Sequence, residues 1–309
     1  ESRRSRGRAR PQTRGTPSGR AECILVTKIV SIQSSVAYGY VGNSAATFPL
    51  MRMGCEVLPV YTVHFAASTV YGPPRGPMLT PDQVGAVVGG LDALGVLSDV
   101  DAVLSGFQGA PAMGARILES VRTVKARSPK ALYCCDPVMG DVERGFYALP
   151  GIPEFLRDEV VPFADILIPN HFELNYLVGR ETSTTADIIA AARELSARGP
   201  GVVVVTSAVT SDAPADEIHM LAVGADGAWR VATPLIDRSF TGSGDVTSAV
   251  FLAETLRGAS VPDALATTAD VVFGLLEKTT QAGTRELALV AAQDEFVSPS
   301  HDFAVTRLD

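Results

Sequence analysis

The stretch Phe240-Thr241-Gly242-Ser243-Gly244-Asp245 is followed by an apolar run over residues 246–253. The run predicts a buried helix, and the two glycines predict a tight turn at its start. The first N–H groups of such a helix have no intrahelical partner, and the helix dipole adds partial positive charge there. The stretch therefore predicts an anion site that is best suited to phosphate.

Asp245 is placed at the mouth of this predicted anion site. A carboxylate beside bound phosphate is electrostatically costly unless it has a chemical task. The task that fits is accepting a proton from a hydroxyl that attacks phosphorus. A Gly-x-Gly turn is a weak signal by itself, because a turn that merely caps a helix has the same pattern. The rest of the chain has to decide between the two.

The composition is that of a globular protein with a large core. Of the 309 residues, 46% are hydrophobic and 19% are charged, which argues against a disordered chain. The net charge of −8 argues against nucleic acid as a partner. No apolar run is long enough for a transmembrane span, so no membrane association is expected.

The cysteines suggest neither a metal site nor a disulfide framework. Cys23, Cys55, Cys134 and Cys135 form no paired Cys-x-x-Cys spacing and have no clustered histidines beside them. Buried, reduced thiols are the expectation, and a cytoplasmic location follows from it.

The first 22 residues differ from the rest of the chain. They contain seven arginines against two glutamates, and they lack the apolar segment of a secretory signal. We expect a disordered Arg-rich extension over residues 1–22. Residues 23–309 have no internal linker and are predicted to form one domain.

Apolar runs that alternate with helical patterns predict an α/β fold with a mostly parallel sheet. Predicted strands cover residues 23–31, 56–61, 102–105, 131–135, 165–168 and 202–206. Predicted helices cover residues 43–53, 81–95, 111–126, a segment starting at 170, and 185–197. Residues 62–79 and 138–151 are predicted loops, the first of them a candidate lid.

The pattern changes after residue 207. Residues 218–223 and 228–232 flank Ala225-Asp226-Gly227, which predicts a hairpin and hence an antiparallel edge of the sheet. A further helix is predicted over residues 262–278, and a last helical stretch over residues 286–294.

Polar side chains stand where several predicted strands end, at the sheet edge where ligands of open α/β folds bind. Asp136 and Glu173 are the hard oxygen donors among them. Near a nucleotide they would hold Mg²⁺, directly or through water. The chain contains no Gly-x-x-x-x-Gly-Lys-Ser/Thr motif, which excludes a P-loop kinase. The turn over residues 240–245 would then bind the phosphate groups.

Several motifs together resemble the pyridoxal kinases of the ribokinase-like superfamily. The motifs are Ser31-Ile-Gln-Ser34, Tyr40-Val-Gly-Asn-Ser-Ala-Ala-Thr-Phe-Pro49, Ala102-Val-Leu-Ser-Gly106, Cys135-Asp-Pro-Val-Met-Gly140 and the turn Phe240–Asp245. The segment Val290-Ala-Ala-Gln-Asp294 is similar to the bacterial PdxY-type branch. The resemblance runs from about residue 23 to residue 308. It implies a three-layer α/β/α sandwich.

The resemblance also implies an activity and a set of site residues. The activity is transfer of the γ-phosphoryl group of ATP to the 5′-hydroxyl of pyridoxal, by a cytoplasmic homodimer that uses Mg²⁺ in vitamin B6 salvage. Asp245 would touch the substrate hydroxyl and act as base, while Gly242, Ser243 and Gly244 would stabilise the transferring group. The ring contacts implied are Ser34, Thr69 and Val70. The nucleotide contacts implied are Asp136, Ile168, Glu173, Thr206, Thr233, Pro234, Leu235 and Ile236.

Three departures from the pattern of this family stand out. Phe146 stands where some relatives carry a cysteine that is reactive towards the aldehyde of pyridoxal. The loop after Phe65 reads Ala66-Ala67-Ser68-Thr69 where Ser-Asn-His-Thr is common, and Ser35 replaces a common histidine. The departures concern the ring contacts, so the ranking of the B6 vitamers is the property they affect.

Three other functions are weighed against this one. A hydroxymethylpyrimidine kinase of the same fold often has a cysteine at the position of Asp245. A sugar kinase usually has an additional Gly-Gly segment and a sugar clamp, and neither is evident. A pyridoxal phosphate carrier would bind the vitamer tightly without consuming ATP.

Overall fold

A computed structural model describes residues 26–308 of the chain. The predicted extension over residues 1–22 and the first three residues of the predicted first strand lie outside the described residues. Residues 26–308 contain eleven strands and eight α-helices.

The strands are β1 (Lys28–Tyr38), β2 (Glu56–Ala67), β3 (Ala102–Ser105), β4 (Leu132–Cys135), β5 (Gly140–Asp141), β6 (Gly145–Phe146), β7 (Ile166–Leu167), β8 (Val202–Ala208), β9 (Glu217–Gly224), β10 (Gly227–Pro234) and β11 (Val305–Arg307). The helices are α1 (Asn43–Arg52), α2 (Pro81–Ala93), α3 (Pro111–Arg127), α4 (Ile152–Phe155), α5 (His171–Val178), α6 (Thr185–Ser196), α7 (Ser243–Leu256) and α8 (Val261–Gln281).

Nine strands form one sheet in the order β11-β10-β9-β8-β7-β4-β3-β1-β2. The strands from β8 to β2 in this order pair in parallel, whereas β9, β10 and β11 add an antiparallel edge. Strands β5 and β6 form a separate small hairpin. The mostly parallel sheet and its antiparallel edge confirm the predicted fold class.

The sheet is covered by helices on both faces, which makes three layers. Successive residues of a strand point to opposite faces, and β4 shows this at its centre. Tyr133 and Cys135 belong to a core that includes α2–α6, while Cys134 belongs to a core that includes α1, α7 and α8. Burial on both faces explains why the central strands are continuous apolar runs.

The helices begin in two different ways, and the difference places the site. Helices α2, α5 and α6 begin with capping boxes, in which a side-chain oxygen satisfies a first-turn N–H. Helices α1 and α7 begin at Gly42 and Gly242 and have no side-chain cap. Both uncapped ends lie at the carboxyl edge of the sheet.

The first two strands are longer than predicted. Strand β1 continues to Tyr38 and β2 continues to Ala67, so the predicted loop over residues 62–79 is wrong in its first part. The polar residues at the predicted end of β1 are accommodated because Asn43 Nδ2 donates to the carbonyls of Ser31, Gln33 and Val60. The predicted loop over residues 138–151 also contains the β5–β6 hairpin.

The predicted helix over residues 286–294 is wrong. This segment contains turns and the start of a 3₁₀ helix at Gln293–Phe296. Leu287 and Leu289 alternate into the core, and the Ala288 N–H donates to Thr279 Oγ1 at 3.0 Å. Contacts with α8 therefore override the local helical pattern.

None of the helices within residues 26–308 combines the length and the apolar character that crossing a bilayer requires.

Candidate active site

A cavity of about 1430 Å³ opens at the carboxyl edge of the sheet. The predicted site residues that line it come from seven separate stretches of the chain. They are Ser34, Thr69, Asp136, Ile168, Glu173, Thr206, Thr233, Pro234, Leu235, Ile236, Gly242, Ser243, Gly244 and Asp245. Val70 was predicted with them but does not line the cavity, and its backbone carbonyl instead accepts a hydrogen bond from Arg285.

The turn before α7 is a conformation that requires glycine. Gly242 has φ +90°, in the left-handed region, and a Cβ placed on it would lie 1.9 Å from the Tyr40 carbonyl oxygen. The N–H groups of the first turn of α7 have no intrahelical partners, and no side chain caps them. The Ser243 N–H donates to the Phe240 carbonyl just before the helix, at 3.4 Å. The turn thus presents partial positive charge to the cavity.

Asp245 lies in the first turn of α7, partly buried in the cavity wall. Burial raises the pKa of its carboxyl to about 6, although a hydrogen bond from the Gly42 N–H opposes the shift. A carboxyl with a pKa near 6 is ionised at neutral pH and is more basic than an ordinary aspartate. These are the properties that general-base chemistry requires.

Asp136 follows β4 and faces the same turn. Its Oδ2 accepts a hydrogen bond from Ser248 Oγ at 3.0 Å, and a Cβ on Gly244 would lie 3.8 Å from that oxygen. Burial, followed by repulsion from Glu173 and Asp245, raises the pKa of Asp136 well above its usual range. The end of β4 therefore brings a second buried carboxylate next to the anion turn.

Glu173 is 1% exposed, and the backbone around it occupies both of its carboxylate oxygens. Oε1 accepts from the N–H of Met139 and Oε2 from the N–H of Asn170, both at 2.9 Å. Burial nevertheless raises the pKa of Glu173 to about 8. Of the two ways in which Glu173 was expected to act on Mg²⁺, contact through water suits this arrangement better than direct coordination.

Two of the residues expected at the substrate ring, Ser34 and Thr69, line the cavity in different surroundings, since Ser34 is buried and Thr69 is exposed. Ser34 lies at the point where the register between β1 and β2 shifts, and a bulge at this point re-aims the side chains of the strand. Thr69 begins a short 3₁₀ helix, Thr69–Tyr71, which the side chain of Ser68 caps. Thr69 is exposed, in contrast to the buried carboxylates.

Comparison with known proteins assigns the chain to a family. Residues 99–289 match the phosphomethylpyrimidine kinase family. Pyridoxal kinase PdxY of Leifsonia xyli subsp. xyli is 49% identical over 281 residues, which cover 91% of this chain and 99% of that protein. The same enzyme of Rubrobacter xylanophilus is 50% identical over 91% of this chain and 97% of its own length. The chain belongs to the pyridoxal kinase family.

Solved structures of pyridoxal kinases agree with this assignment. Pyridoxal kinase from Leishmania donovani in complex with ADP and ginkgotoxin superposes with a TM-score of 0.85 at 29% identity, covering 92% of this chain and all of that one. A complex of the same kinase with ADP and pyridoxamine gives a TM-score of 0.84. The fold is therefore ribokinase-like, as the resemblance implied.

Two departures from the pyridoxal kinase pattern acquire a structural explanation. Phe146 lines the cavity on the β5–β6 hairpin and packs edge-on against Phe172 and Tyr176, with ring centroids 4.9 and 5.2 Å away. Ser35 is buried, and its Oγ lies 3.2 Å from Ser44 Oγ in α1. Ser35 thus ties β1 to α1 and does not line the cavity.

Two residues that contact the site carboxylates were not predicted from the sequence. The N–H of Gly42 lowers the pKa of Asp245, and Ser248 supplies the hydroxyl that bonds Asp136. Ser248 had a signal, since it lies three residues after Asp245 and hence on the same face of the helix. Gly42 had none, because nothing local indicates that α1 and α7 begin side by side.

Residues 26–308 contain no group of three or more His, Cys, Asp or Glu side chains that could hold a metal ion by themselves. The carboxylates of Asp136, Glu173 and Asp245 still fit a hard divalent cation, because burial raises the pKa of all three and repulsion from the other two raises that of Asp136 further. Mg²⁺ is commonly bound by one or two carboxylates, waters and substrate phosphates. The donor set is therefore compatible with Mg²⁺ that arrives with a nucleotide.

Proposed function

We propose that this chain transfers the γ-phosphoryl group of ATP to the 5′-hydroxyl of pyridoxal and so forms pyridoxal 5′-phosphate in vitamin B6 salvage. The observation that carries the proposal is the position of Asp245 at the uncapped N-terminus of α7, inside a cavity large enough for both substrates. The PdxY relatives and the solved kinases that bind ADP with B6 vitamers support the choice of substrates.

In this reaction Asp245 accepts the proton of the 5′-hydroxyl as that oxygen attacks the γ-phosphorus. The N–H groups of Gly242, Ser243 and Gly244 donate to the oxygens of the transferring group, which the dipole of α7 also stabilises. The N–H of Gly42 lowers the pKa of Asp245, in opposition to the effect of burial, and so favours the ionised form. Without substrate the Ser243 N–H donates to the Phe240 carbonyl at 3.4 Å, so it would exchange this long bond for one to the transferring group.

Asp136 and Glu173 would hold Mg²⁺ with the nucleotide, Asp136 nearer the turn and Glu173 through water. When bound, the ion would neutralise charge on the phosphates. Ser248 keeps Asp136 oriented towards the turn by its hydrogen bond to Oδ2. The remaining nucleotide contacts we propose are Ile168, Thr206, Thr233, Pro234, Leu235 and Ile236. The ring contacts we propose are Ser34 and Thr69, because Val70 does not line the cavity.

The proposal also covers the cellular location and the oligomeric state of the protein. We infer a cytoplasmic homodimer in which the described residues 26–308 belong to one kinase domain. The buried free thiols of Cys55, Cys134 and Cys135 are compatible with a reducing compartment. Light scattering on a size-exclusion column measures the mass, and a monomer at micromolar concentration would contradict the dimer.

The decisive experiment measures formation of pyridoxal 5′-phosphate from pyridoxal and Mg-ATP, with wild type and Asp245→Ala side by side. We expect product with wild type and a kcat lower by about 10²- to 10⁴-fold in the variant, the usual contribution of a general base. Pyridoxal binding should change little. An unchanged kcat would remove Asp245 from the mechanism.

The same assay decides between the alternatives. The match of residues 99–289 to the phosphomethylpyrimidine kinase family favours hydroxymethylpyrimidine as the competing substrate. Turnover of the pyrimidine alone would move the assignment to that kinase. Tight binding of pyridoxal phosphate without ATP consumption would instead support a carrier.

A further inference from the structure

The side chain of Glu286 joins two segments that border the cavity. Its Oε1 accepts a hydrogen bond from the Tyr71 hydroxyl at 2.5 Å, and its Oε2 accepts one from the Tyr40 N–H at 2.9 Å. A Cβ on Gly39 would lie 2.2 Å from Oε2, so the carboxylate occupies space that only glycine leaves open. Glu286 therefore fits closely between the segments it connects.

Arg285 holds the same turn from a second direction. Its guanidinium lies over the Tyr71 ring, 4.1 Å from the centroid, and its Nη2 donates to the Val70 carbonyl at 3.1 Å. The Tyr71 ring also packs edge-on against Tyr38, with centroids 5.7 Å apart. We call Arg285, Glu286 and Tyr71 the clasp.

The clasp lies outside the cavity but touches both of its ends. None of its three residues lines the cavity, whereas Thr69, in the turn that the clasp holds, does. On the other side, Glu286 fixes Tyr40, whose carbonyl oxygen packs against Gly242 of the anion turn. One side chain thus connects the ring side of the site with the phosphate side.

We propose that Arg285 and Glu286 are positioning residues that hold the Thr69–Tyr71 turn in the conformation that binds the substrate ring. The proposal rests on the proposed function for the identity of that substrate. Apart from the clasp and the cap from Ser68, the turn is exposed and has few other contacts. A turn that is in place for only a fraction of the time lowers the apparent affinity by that fraction.

The test compares three variants by kcat, KM for pyridoxal and KM for ATP. Tyr71→Phe removes one hydroxyl, and Glu286→Ala removes both acceptors. We expect both to raise KM for pyridoxal about three- to tenfold, which corresponds to the typical net contribution of one hydrogen bond. In Tyr71→Phe, kcat and KM for ATP should stay within about twofold, because the hydrogen bond from the Tyr40 N–H to Glu286, next to the anion turn, is kept.

Glu286→Gln is the conservative variant. Its amide oxygen can accept from the Tyr40 N–H while its NH₂ donates to the Tyr71 oxygen, so we expect near wild-type KM for pyridoxal. Arg127→Ala is the matched control, because Arg127 makes an exposed two-point contact with Asp92, between α2 and α3, that does not border the cavity. It should leave all three kinetic constants unchanged.

Hydrogen exchange of the ligand-free protein tests the clasp independently of the reaction. Faster exchange of the Val70 and Tyr71 amides in Tyr71→Phe, with no change in the core strands, would support it. Unchanged exchange or an unchanged KM for pyridoxal would overturn it, as would equal losses in every kinetic constant together with a lower Tm. Should wild type fail to phosphorylate pyridoxal, the proposed function fails and the exchange result alone decides on the clasp.

Discussion

The two ends of the cavity are built by different means. At the phosphate end, the carboxylates of Asp136 and Glu173 are buried and held by hydrogen bonds from neighbouring groups, mostly backbone N–H. At the ring end, Thr69 is exposed, and its turn is fixed by side chains from a segment more than 200 residues away in sequence. One end is part of the core, and the other is attached to it.

This difference separates chemistry from specificity. Moving a group at the phosphate end requires unpacking a helix start or a strand end, which costs free energy of folding. Changing the ring end requires only substitutions in the exposed Thr69–Tyr71 turn or in the side chains that hold this turn. The departures from the family pattern at residues 66–68 lie on this adaptable side, while the residues expected to transfer phosphate match the family.

The largest effect should come from Gly242→Ala. The new Cβ would collide with the Tyr40 carbonyl oxygen, and the alanine would have to adopt a left-handed φ. The turn must therefore move away from the phosphate. We expect kcat to fall by at least about 10²-fold, comparable to losing an oxyanion-hole donor. Steady-state kinetics with pyridoxal and ATP measures it.

Gly258→Ala is the matched control, at the other end of the same helix. Gly258 has φ +87°, and an added Cβ meets no atom within 4 Å. This variant carries the same backbone strain without the collision, so it should lose about 1–2 kcal/mol of stability and keep its kcat. Equal kinetic losses in both variants would show that strain, and not the anion turn, explains the effect.

The intermediate effect is the pH dependence. Asp245 must be ionised to accept a proton, and its raised pKa means that the ionised fraction falls as the pH drops through about 6. We expect kcat/KM for pyridoxal to decline tenfold per pH unit below about 6, with the nearby Asp136 carboxyl contributing to the apparent value. The titration of free pyridoxal, followed by absorbance, provides the correction. A profile that stays flat down to pH 4.5 would contradict the base assignment.

The smallest effect compares two capping residues. Asn170 caps α5 in the cavity wall and also donates to the Gly140 carbonyl at 2.8 Å, whereas Thr184 caps α6 away from the cavity. We expect Asn170→Ala to cost about 2 kcal/mol and to raise KM for ATP, since it frees the β5–β6 hairpin. Thr184→Ala should cost about 1 kcal/mol with unchanged kinetics. Denaturant unfolding measures the two losses of stability, and steady-state kinetics measures KM for ATP. A larger effect of Thr184→Ala than of Asn170→Ala would contradict the placement of Asn170 in the cavity wall.

The phosphate end could be predicted from sequence because its signals are local. A Gly-x-Gly turn before an apolar run, and an acid directly after a buried strand, each specify their own geometry. The ring end could not be predicted in the same way. Strands β1 and β2 continue through polar residues, where the side chain of Asn43 in α1 donates hydrogen bonds to three of their backbone carbonyls. The clasp joins residues that are 215 positions apart in the sequence.

The helix wrongly predicted over residues 286–294 illustrates the same limit. Its local pattern is compatible with a helix, but Glu286 bonds two distant segments and the Ala288 N–H bonds Thr279 of α8. These contacts exist only in the folded chain. Residues that act by connecting distant segments therefore leave no periodic signal in the sequence.

The adjacent cysteines of β4, Cys134 and Cys135, can report separately on the opening of the two helical layers. Cys134 faces the layer of α1, α7 and α8, and Cys135 faces the opposite layer. Burial raises the pKa of both thiols, that of Cys135 to about 12, so neither reacts with an alkylating reagent while its layer is closed. With Cys23 and Cys55 replaced by serine, the order in which the two thiols become labelled would report which helical layer separates from the sheet first.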